Sequence, residues 1–209
     1  MFSILWSMSL YAAFALGRWA RRAPSRGKYA LYGALILLSM AGQLLCLSSS
    51  GLLSPQTALP LHLCSFSGVL ALPALLGNGR GAARFLNRLG RLGAALALLF
   101  PAPLQTRVPA LSDGLFYLTH ALLIFLPLKK ERGGALGGAL LALLLVSLAC
   151  AADAALNANY LFLRRFPAGA PHFGLAAWPL LSRAALFAGL MLIVLIPDGP
   201  IFKGGKTYK

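Results

Sequence analysis

The sequence predicts an all-α membrane protein, a polytopic bundle of about seven transmembrane helices that forms a single domain over residues 1–209. Three observations predict this fold class. Apolar residues make up 59% of the chain and charged residues only 11%, with a mean hydropathy of +0.77, which excludes an ordinary soluble domain. The apolar residues fall into stretches of about 20, the length that crosses a bilayer. Finally, the cations collect in alternate connecting loops.

Charge clusters and Pro/Gly-rich segments divide the chain into seven apolar stretches. They cover roughly residues 2–17, 29–51, 59–77, 87–103, 111–128, 134–158 and 174–196. The first stretch has its cations after it and not before it, which is typical of an anchor with an external N-terminus. The fourth contains Arg88 and Arg91 and ends at Pro101; it still predicts a crossing, because arginines near a helix end can reach the headgroups.

The distribution of cations predicts an orientation with the N-terminus outside and the C-terminus in the cytoplasm. Of the 19 Lys and Arg residues, 15 lie in the loops after the first, third, fifth and seventh stretches. The opposite loops contain Arg107, Arg164 and Arg165, and Arg183 lies within the last stretch. This asymmetry accounts for the net charge of +15 without a nucleic-acid partner, because cytoplasmic loops face anionic lipid.

Polar residues of five predicted spans form clusters that all fall in the outer half of the membrane. They are Ser39, Gln43, Cys46 and Ser50 in the second span, His62 and Cys64 in the third, Asp113, Tyr117 and His120 in the fifth, Ser147, Cys150, Asp153, Asn157 and Tyr160 in the sixth, and Arg183 in the seventh. Intramembrane polar groups usually face the bundle interior, so this agreement in depth predicts one polar cavity. For Gln43, Cys46, Ser147 and Cys150, simple packing or hydrogen bonding between helices is the more common role in membrane helices.

Cys64 and His120 are the residues that could carry covalent chemistry. Pro60 suits the first position of the third helix, which predicts free backbone N–H groups near Cys64 that favour a thiolate. A thiolate beside a neutral imidazole can form an acyl intermediate, and His120 lies on the next inward-running span. His62, about 200° around a helix from Cys64, is better placed to orient a substrate or to donate to an oxyanion. Cys64 as an apolar filler and His120 as a structural histidine are the alternatives.

Other kinds of site have weaker support. The three cysteines have no Cys-x-x-Cys spacing and predict neither a disulfide framework nor a zinc site, although Cys46 and Cys64 could pair. A metal held by His62, His120 and Asp153, or a haem between the two histidines, lacks any supporting ligand spacing, so no metal and no cofactor are expected. Asp153 and Arg183 are predicted to form an ion pair between the sixth and seventh spans, because each is costly alone in a membrane.

Several segments resemble the YwaF family of bacterial multi-pass membrane proteins. They are Leu59-Pro60-Leu61-His62-Leu63-Cys64, Phe116 with His120, Asn157-Ala158-Asn159-Tyr160-Leu161-Phe162-Leu163 with Pro167, and Trp178-Pro179. By order and spacing the resemblance covers nearly the whole chain. That family is similar to a eukaryotic membrane acyltransferase that moves fatty acyl chains between phospholipids during ether-phospholipid remodelling with a Cys and a His as its catalytic pair. The resemblance implies that Cys64 is the acyl-accepting nucleophile and that His120 is the base.

The function expected from these observations is a lipid acyltransferase or lipase-like hydrolase acting at the outer leaflet of the cell membrane. A membrane phospholipid or another lipid is the expected partner. The candidate substrate-contacting residues are His62, Gln43, Asn157, Asn159 and Tyr160. The alternative is a non-enzymatic transporter or lipid-binding membrane protein that uses the same polar cavity.

Overall fold

The computed structural model describes residues 2–77, 79–101, 106–128, 134–162 and 179–196, and all regular structure in these ranges is helical. The elements in chain order are α1 (Phe2–Arg22), α2 (Arg26–Ser49), α3 (Pro55–Ala58), α4 (Leu63–Leu75), α5 (Arg80–Phe85), a π-helical segment (Leu86–Gly90), α6 (Arg91–Leu99), α7 (Pro109–Ile124), α8 (Ala135–Leu156), a 3₁₀ turn (Tyr160–Phe162) and α9 (Pro179–Leu195). The π-helical segment joins α5 and α6 into one continuous rod. The predicted all-α class is therefore confirmed for the described part of the chain.

Local sequence signals explain where several helices begin and end. The side chain of Ser25 accepts a hydrogen bond from the backbone N–H of Lys28 at 3.3 Å and caps the start of α2. Proline occupies the first turn of α7, where its missing N–H costs nothing. Gly134 precedes α8 with a φ of +72° and Asn157 follows it with a φ of +52°, and these two residue types adopt that conformation more readily than others.

Each of the seven predicted apolar stretches overlaps one helical rod, but several boundaries differ, among them the starts of the third and fourth rods. The third rod begins at Leu63 and not near Pro60, so the expected role of Pro60 at the first helical position is wrong. The fourth rod begins at Arg80, seven residues before the predicted stretch. Arginines extend this rod because they have partners at the ends of other helices.

Arginines at one end of the bundle donate hydrogen bonds to carbonyl groups that immediately follow α7 and α9. Arg21 donates to Phe125 O at 3.2 Å and Arg91 donates to Leu126 O at 2.8 Å. Arg84, which is buried, donates to the carbonyl of Ile196 at 2.6 Å. Cations are favoured at helix C-termini, where carbonyl groups lack intrahelical partners. Segments predicted to be cytoplasmic thus meet at one end.

Segments from the predicted outer loops meet at the opposite end. The backbone N–H of Arg107 donates to Ser50 Oγ at 2.8 Å, and the side-chain amide of Gln56 donates to Leu156 O at 3.1 Å. The loops therefore divide into the two groups that the charge pattern predicts.

α7 lies at the centre of the helices and packs against α1, α2, α4 and α6. Its residues from Thr119 to Leu123 are all buried. α8 has an opposite arrangement. Large leucines cover its exposed face, namely Leu136, Leu140, Leu143, Leu144 and Leu148. Small residues face inward instead, and a Cβ added at Gly81 of α5 would lie 2.8 Å from the carbonyl carbon of Gly137.

An apolar exterior over a close-packed interior of small residues is typical of membrane helices. Among the described helices, α2 and α8 are individually long and apolar enough to cross a bilayer, and α4 is a shorter apolar helix. α7 and α9 have 16 and 17 residues, and the α5–α6 rod contains four arginines. Length and hydropathy alone therefore indicate only part of the predicted set of spans.

Candidate functional site

Cys64 is the second residue of α4. His62 immediately precedes the helix, and its carbonyl oxygen accepts the hydrogen bond from Phe66 N at 2.9 Å. Cys64 therefore lies in the first turn, where backbone N–H groups lack helical partners, as the sequence predicts. His62 lies outside the helix, however. The argument that a helix turns it about 200° from Cys64 therefore does not apply.

The thiol of Cys64 packs against α6 at Gly93. A Cβ added at Gly93 would lie 3.5 Å from Cys64 Sγ and 2.7 Å from a methyl group of Leu63. Gly93 is buried, and the absence of a side chain lets α4 approach α6 at the level of the thiol. Cys64 itself is only partly buried, and it is a free thiol, as are Cys46 and Cys150. The disulfide considered between Cys46 and Cys64 is not formed.

His120 is 7% exposed and is held by the helix on which it lies. Its Nδ1 is 2.7 Å from the carbonyl oxygen of Phe116, and the Phe116 ring lies 4.2 Å from the imidazole between ring centroids. A carbonyl oxygen only accepts hydrogen bonds, so Nδ1 must carry the proton. In the neutral imidazole, the lone pair is then on Nε2. Phe116 thus selects the tautomer that a base needs.

The helices of Cys64 and His120 are neighbours: α4 packs against α7, and both pack against α6. Within the described residues, no hydrogen bond joins Cys64 Sγ to His120. Their action as a catalytic pair stays a prediction.

Gln43 lies in a polar network between α2 and α7. Its side-chain amide donates to Thr119 Oγ1 at 2.8 Å and to Leu115 O at 3.3 Å, while Ser39 Oγ is 2.7 Å from Thr119 Oγ1. The side-chain amide of Gln43 therefore donates to α7, and one of its acceptors, Thr119, immediately precedes His120. Sequence reasoning missed Thr119, although its position beside His120 and one turn after Leu115 was a usable signal.

The structure brings the rings of His62 and Tyr160 together. Their ring centroids are 5.2 Å apart, and the ring of Phe162 is 5.3 Å from His62. Phe162 is 41% exposed and was not among the candidate site residues. Phe162 lies in the segment that begins with Asn-x-Asn-Tyr and carries the family resemblance. That membership was the signal by which the sequence could have identified it as a site residue.

Asp153 is buried and binds the backbone that carries these rings. Its Oδ1 accepts a hydrogen bond from Tyr160 N at 2.7 Å, and Tyr160 OH donates to Pro55 O at 2.5 Å. Asn157 is exposed and ends α8, and Asn159 is partly buried in the turn. The predicted partner of Asp153, the side chain of Arg183, lies outside the described residues.

One expectation about the polar residues needs correction. Ser147 and Cys150 are exposed on α8, whereas Asp153 is buried, so the sixth span does not present all its polar residues on one inward face. The physical reason is that six residues of α-helix turn about 240° from Ser147 to Asp153. In addition, no group of three His, Cys, Asp or Glu side chains in the described ranges could hold a metal ion. His62, His120 and Asp153 therefore do not form the ligand set considered from the sequence.

No characterised protein and no solved structure matches the chain. The model of the TMEM164 family, a transmembrane-protein family, matches residues 1–196. That range includes every candidate site residue, and membership agrees with helices that expose leucine and pack through glycine. The family found confirms the expectation of a membrane protein, whereas the YwaF name and the relation to acyltransferases stay expectations. The match covers far more than half of the chain, and we conclude that this protein is a member of the TMEM164 family.

Proposed function

We propose that this protein transfers an acyl chain from a membrane phospholipid through a thioester on Cys64, with His120 as the general base. The observation that carries the proposal is the contact between His120 Nδ1 and Phe116 O at 2.7 Å. It leaves the Nε2 lone pair available on a buried helix that packs against the helix of Cys64. The resemblance to acyltransferases with a Cys and His pair supports the same roles.

In the first half-reaction, His120 Nε2 removes the proton from Cys64 Sγ as the sulfur attacks the ester carbonyl carbon. The tetrahedral intermediate then breaks its bond to the glycerol oxygen. His120 returns the proton to that oxygen, which releases a lysophospholipid and leaves the acyl group on Cys64. Backbone N–H groups in the first turn of α4 are suited to stabilise the oxyanion.

In the second half-reaction, a hydroxyl group of an acceptor loses its proton to His120 Nε2 and attacks the thioester. The C–S bond breaks and the thiolate takes the proton back. A lysophospholipid acceptor makes the protein a transferase, and water makes it a hydrolase. His62, whose ring contacts Tyr160 and Phe162, is the candidate to orient the substrate, with Asn157, Asn159 and Gln43 as further candidate contacts.

The proposal includes a cell-membrane location, seven crossings and a site near the outer leaflet. Its support is the charge asymmetry of the loops and the meeting of the arginine-rich segments at one end. Cysteines introduced within residues 18–28 should react with a membrane-impermeant maleimide only from the cytoplasm, and those within 52–57 only from outside. Cytoplasmic labelling of residues 52–57 would contradict the orientation.

The decisive experiment uses the purified protein in vesicles that contain a phospholipid with an alkyne-tagged acyl chain. The wild type should acquire a hydroxylamine-sensitive label and release lysophospholipid. Cys64→Ala should abolish the label, and activity should fall about 1,000-fold or more. His120→Ala should lower the rate of acylation about 100-fold or more, and the double variant should be little worse than either single one.

Cys46→Ala and Cys150→Ala are the matched controls, because they remove the other two thiols, and both should retain the label. A full label in Cys64→Ala would exclude thiol catalysis at this residue. No label in the wild type, together with saturable binding or movement of the phospholipid, would favour the alternative of a lipid-binding protein or transporter.

A further inference from the structure

The turn that follows α8, residues 157–162, has an unusual backbone. Leu161 and Phe162 have φ angles of +52° and +56°, in the left-handed region where a bulky side chain is strained. Asn157 shares this conformation, but an asparagine that ends a helix adopts it readily. Bulky residues keep such angles only where surrounding contacts impose them, and these positions cluster at functional sites.

Two hydrogen bonds hold this turn at Tyr160. The backbone N–H donates to Oδ1 of Asp153 at 2.7 Å, and the phenol donates to Pro55 O. Tyr160 is fully buried, and its backbone bond to Asp153 is shielded from water. Asp153 therefore fastens the strained turn to the last turns of α8.

The turn in its strained form places two aromatic rings against His62. The centroid of the Tyr160 ring lies 5.2 Å from that of His62 and the centroid of Phe162 lies 5.3 Å from it. His62 is the residue from which α4 begins, and Cys64 follows two positions later. A chain of direct contacts thus runs from Asp153 through Tyr160 and His62 to the helix turn that holds the thiol.

We propose that Asp153 is a positioning residue for Cys64, acting as a hydrogen-bond acceptor that holds the 157–162 turn against His62 at the start of α4. The inference rests on the proposed function for the role of Cys64 in catalysis. The contact chain itself is independent of that role. Oδ1 of Asp153 accepts a hydrogen bond from a neutral backbone N–H, so this contact requires an acceptor oxygen at position 153.

The test measures the rate at which Cys64 reacts with a water-soluble maleimide in vesicles. A background of Cys46→Ala and Cys150→Ala leaves Cys64 as the single cysteine. Asp153→Ala should raise the alkylation rate about tenfold, because losing one buried hydrogen bond frees the turn to open, and should lower the rate of acyl transfer. Asp153→Asn retains an acceptor oxygen and should keep both rates within about twofold of the parent.

Phe162→Ala provides a second route, because it removes a ring that contacts His62 from a partly exposed position without touching the buried carboxylate. It should also raise the alkylation rate. Ser147→Ala, an exposed change on the same helix, is the control and should leave the rate unchanged. Alkylation at the parent rate in both Asp153→Ala and Phe162→Ala would overturn the inference. Equal effects of Asp153→Asn and Asp153→Ala would also overturn it, in favour of a role for the charge.

The two proposals fail in different ways. If the parent forms no thioester but the alkylation rates follow the expected order, the acyltransferase is excluded and the positioning of Cys64 stands. If the thioester forms and the alkylation rates do not change, the positioning role is excluded and the acyltransferase stands.

Discussion

α7 and α8 are both strongly apolar helices, but they occupy different places in the bundle. α7 has 16 residues and contacts helices on several sides, whereas α8 has 22 residues and exposes a row of leucines. Thr119 on α7 has side-chain partners on another helix, Ser39 and Gln43 of α2. On α8, Ser147 is exposed on the leucine-covered side of the helix.

This difference shows why the helix with the strongest hydropathy signal is not the helix that carries the candidate base. A helix that faces lipid must be apolar and long, so α8 is recognised by those two properties. A helix surrounded by protein can be shorter and can carry polar groups, such as Thr119, that neighbouring helices satisfy. The candidate base therefore lies on an apolar helix of 16 residues, which is shorter than the length that crosses a bilayer.

The largest expected effect comes from creating a cavity at a buried side chain of α7. Leu122 is fully buried, and Leu122→Ala should lower the free energy of unfolding by about 2–5 kcal/mol, through lost contacts and a cavity. Leu140→Ala on the exposed face of α8 should cost less than about 1 kcal/mol. Denaturant titration in detergent micelles measures both. Equal losses at the two sites would contradict the contrast between a central and a peripheral helix.

A smaller effect is expected where α8 touches α5. Gly81→Ala would place a Cβ within 3.0 Å of backbone atoms of Gly137, and overpacking of this kind costs about 1–3 kcal/mol. Gly114→Ala is the control on α7, because a Cβ there meets nothing within 4 Å, and it should be neutral or stabilising by up to about 1 kcal/mol. The melting temperature should fall for Gly81→Ala and should stay the same or rise for Gly114→Ala. A tolerated Gly81→Ala would mean that α5 and α8 can separate without cost.

The smallest effect concerns the hydrogen bonds of α7. Thr119→Val keeps the shape of the side chain but removes the hydroxyl group that contacts Gln43 and Ser39. Intramembrane hydrogen bonds of this type contribute about 0.6–2 kcal/mol, so the free energy of unfolding should fall by about that amount. Ser147→Ala on α8 should change it by less than about 0.5 kcal/mol. The same titration measures both, and no difference between the variants would show that the α2–α7 network contributes nothing to stability.

Much of the fold could be predicted because its signals are local. Apolar runs bounded by charge clusters located the helical rods, and loop charges divided the connections into the two groups that meet at opposite ends. The start of α4 was misplaced because the proline signal at Pro60 competes with the chain turn that leaves His62 outside the helix. The arginines of the fourth rod were counted in the loop before it, which placed its start too late. Their partners are carbonyl groups more than 30 residues away, which no local pattern contains.

The sequence by itself determined the helical class, the membrane character and the residues that could carry chemistry, because composition, period and residue type are properties of the chain. Only the tertiary structure decided which polar groups meet. It joined Gln43 to Thr119, Asp153 to the backbone of Tyr160, and Tyr160 and Phe162 to His62. It also assigned the Nδ1 proton of His120 through Phe116. The physical reason is that hydrogen bonds and ring contacts act over a few ångströms, and only packing brings distant segments within that range.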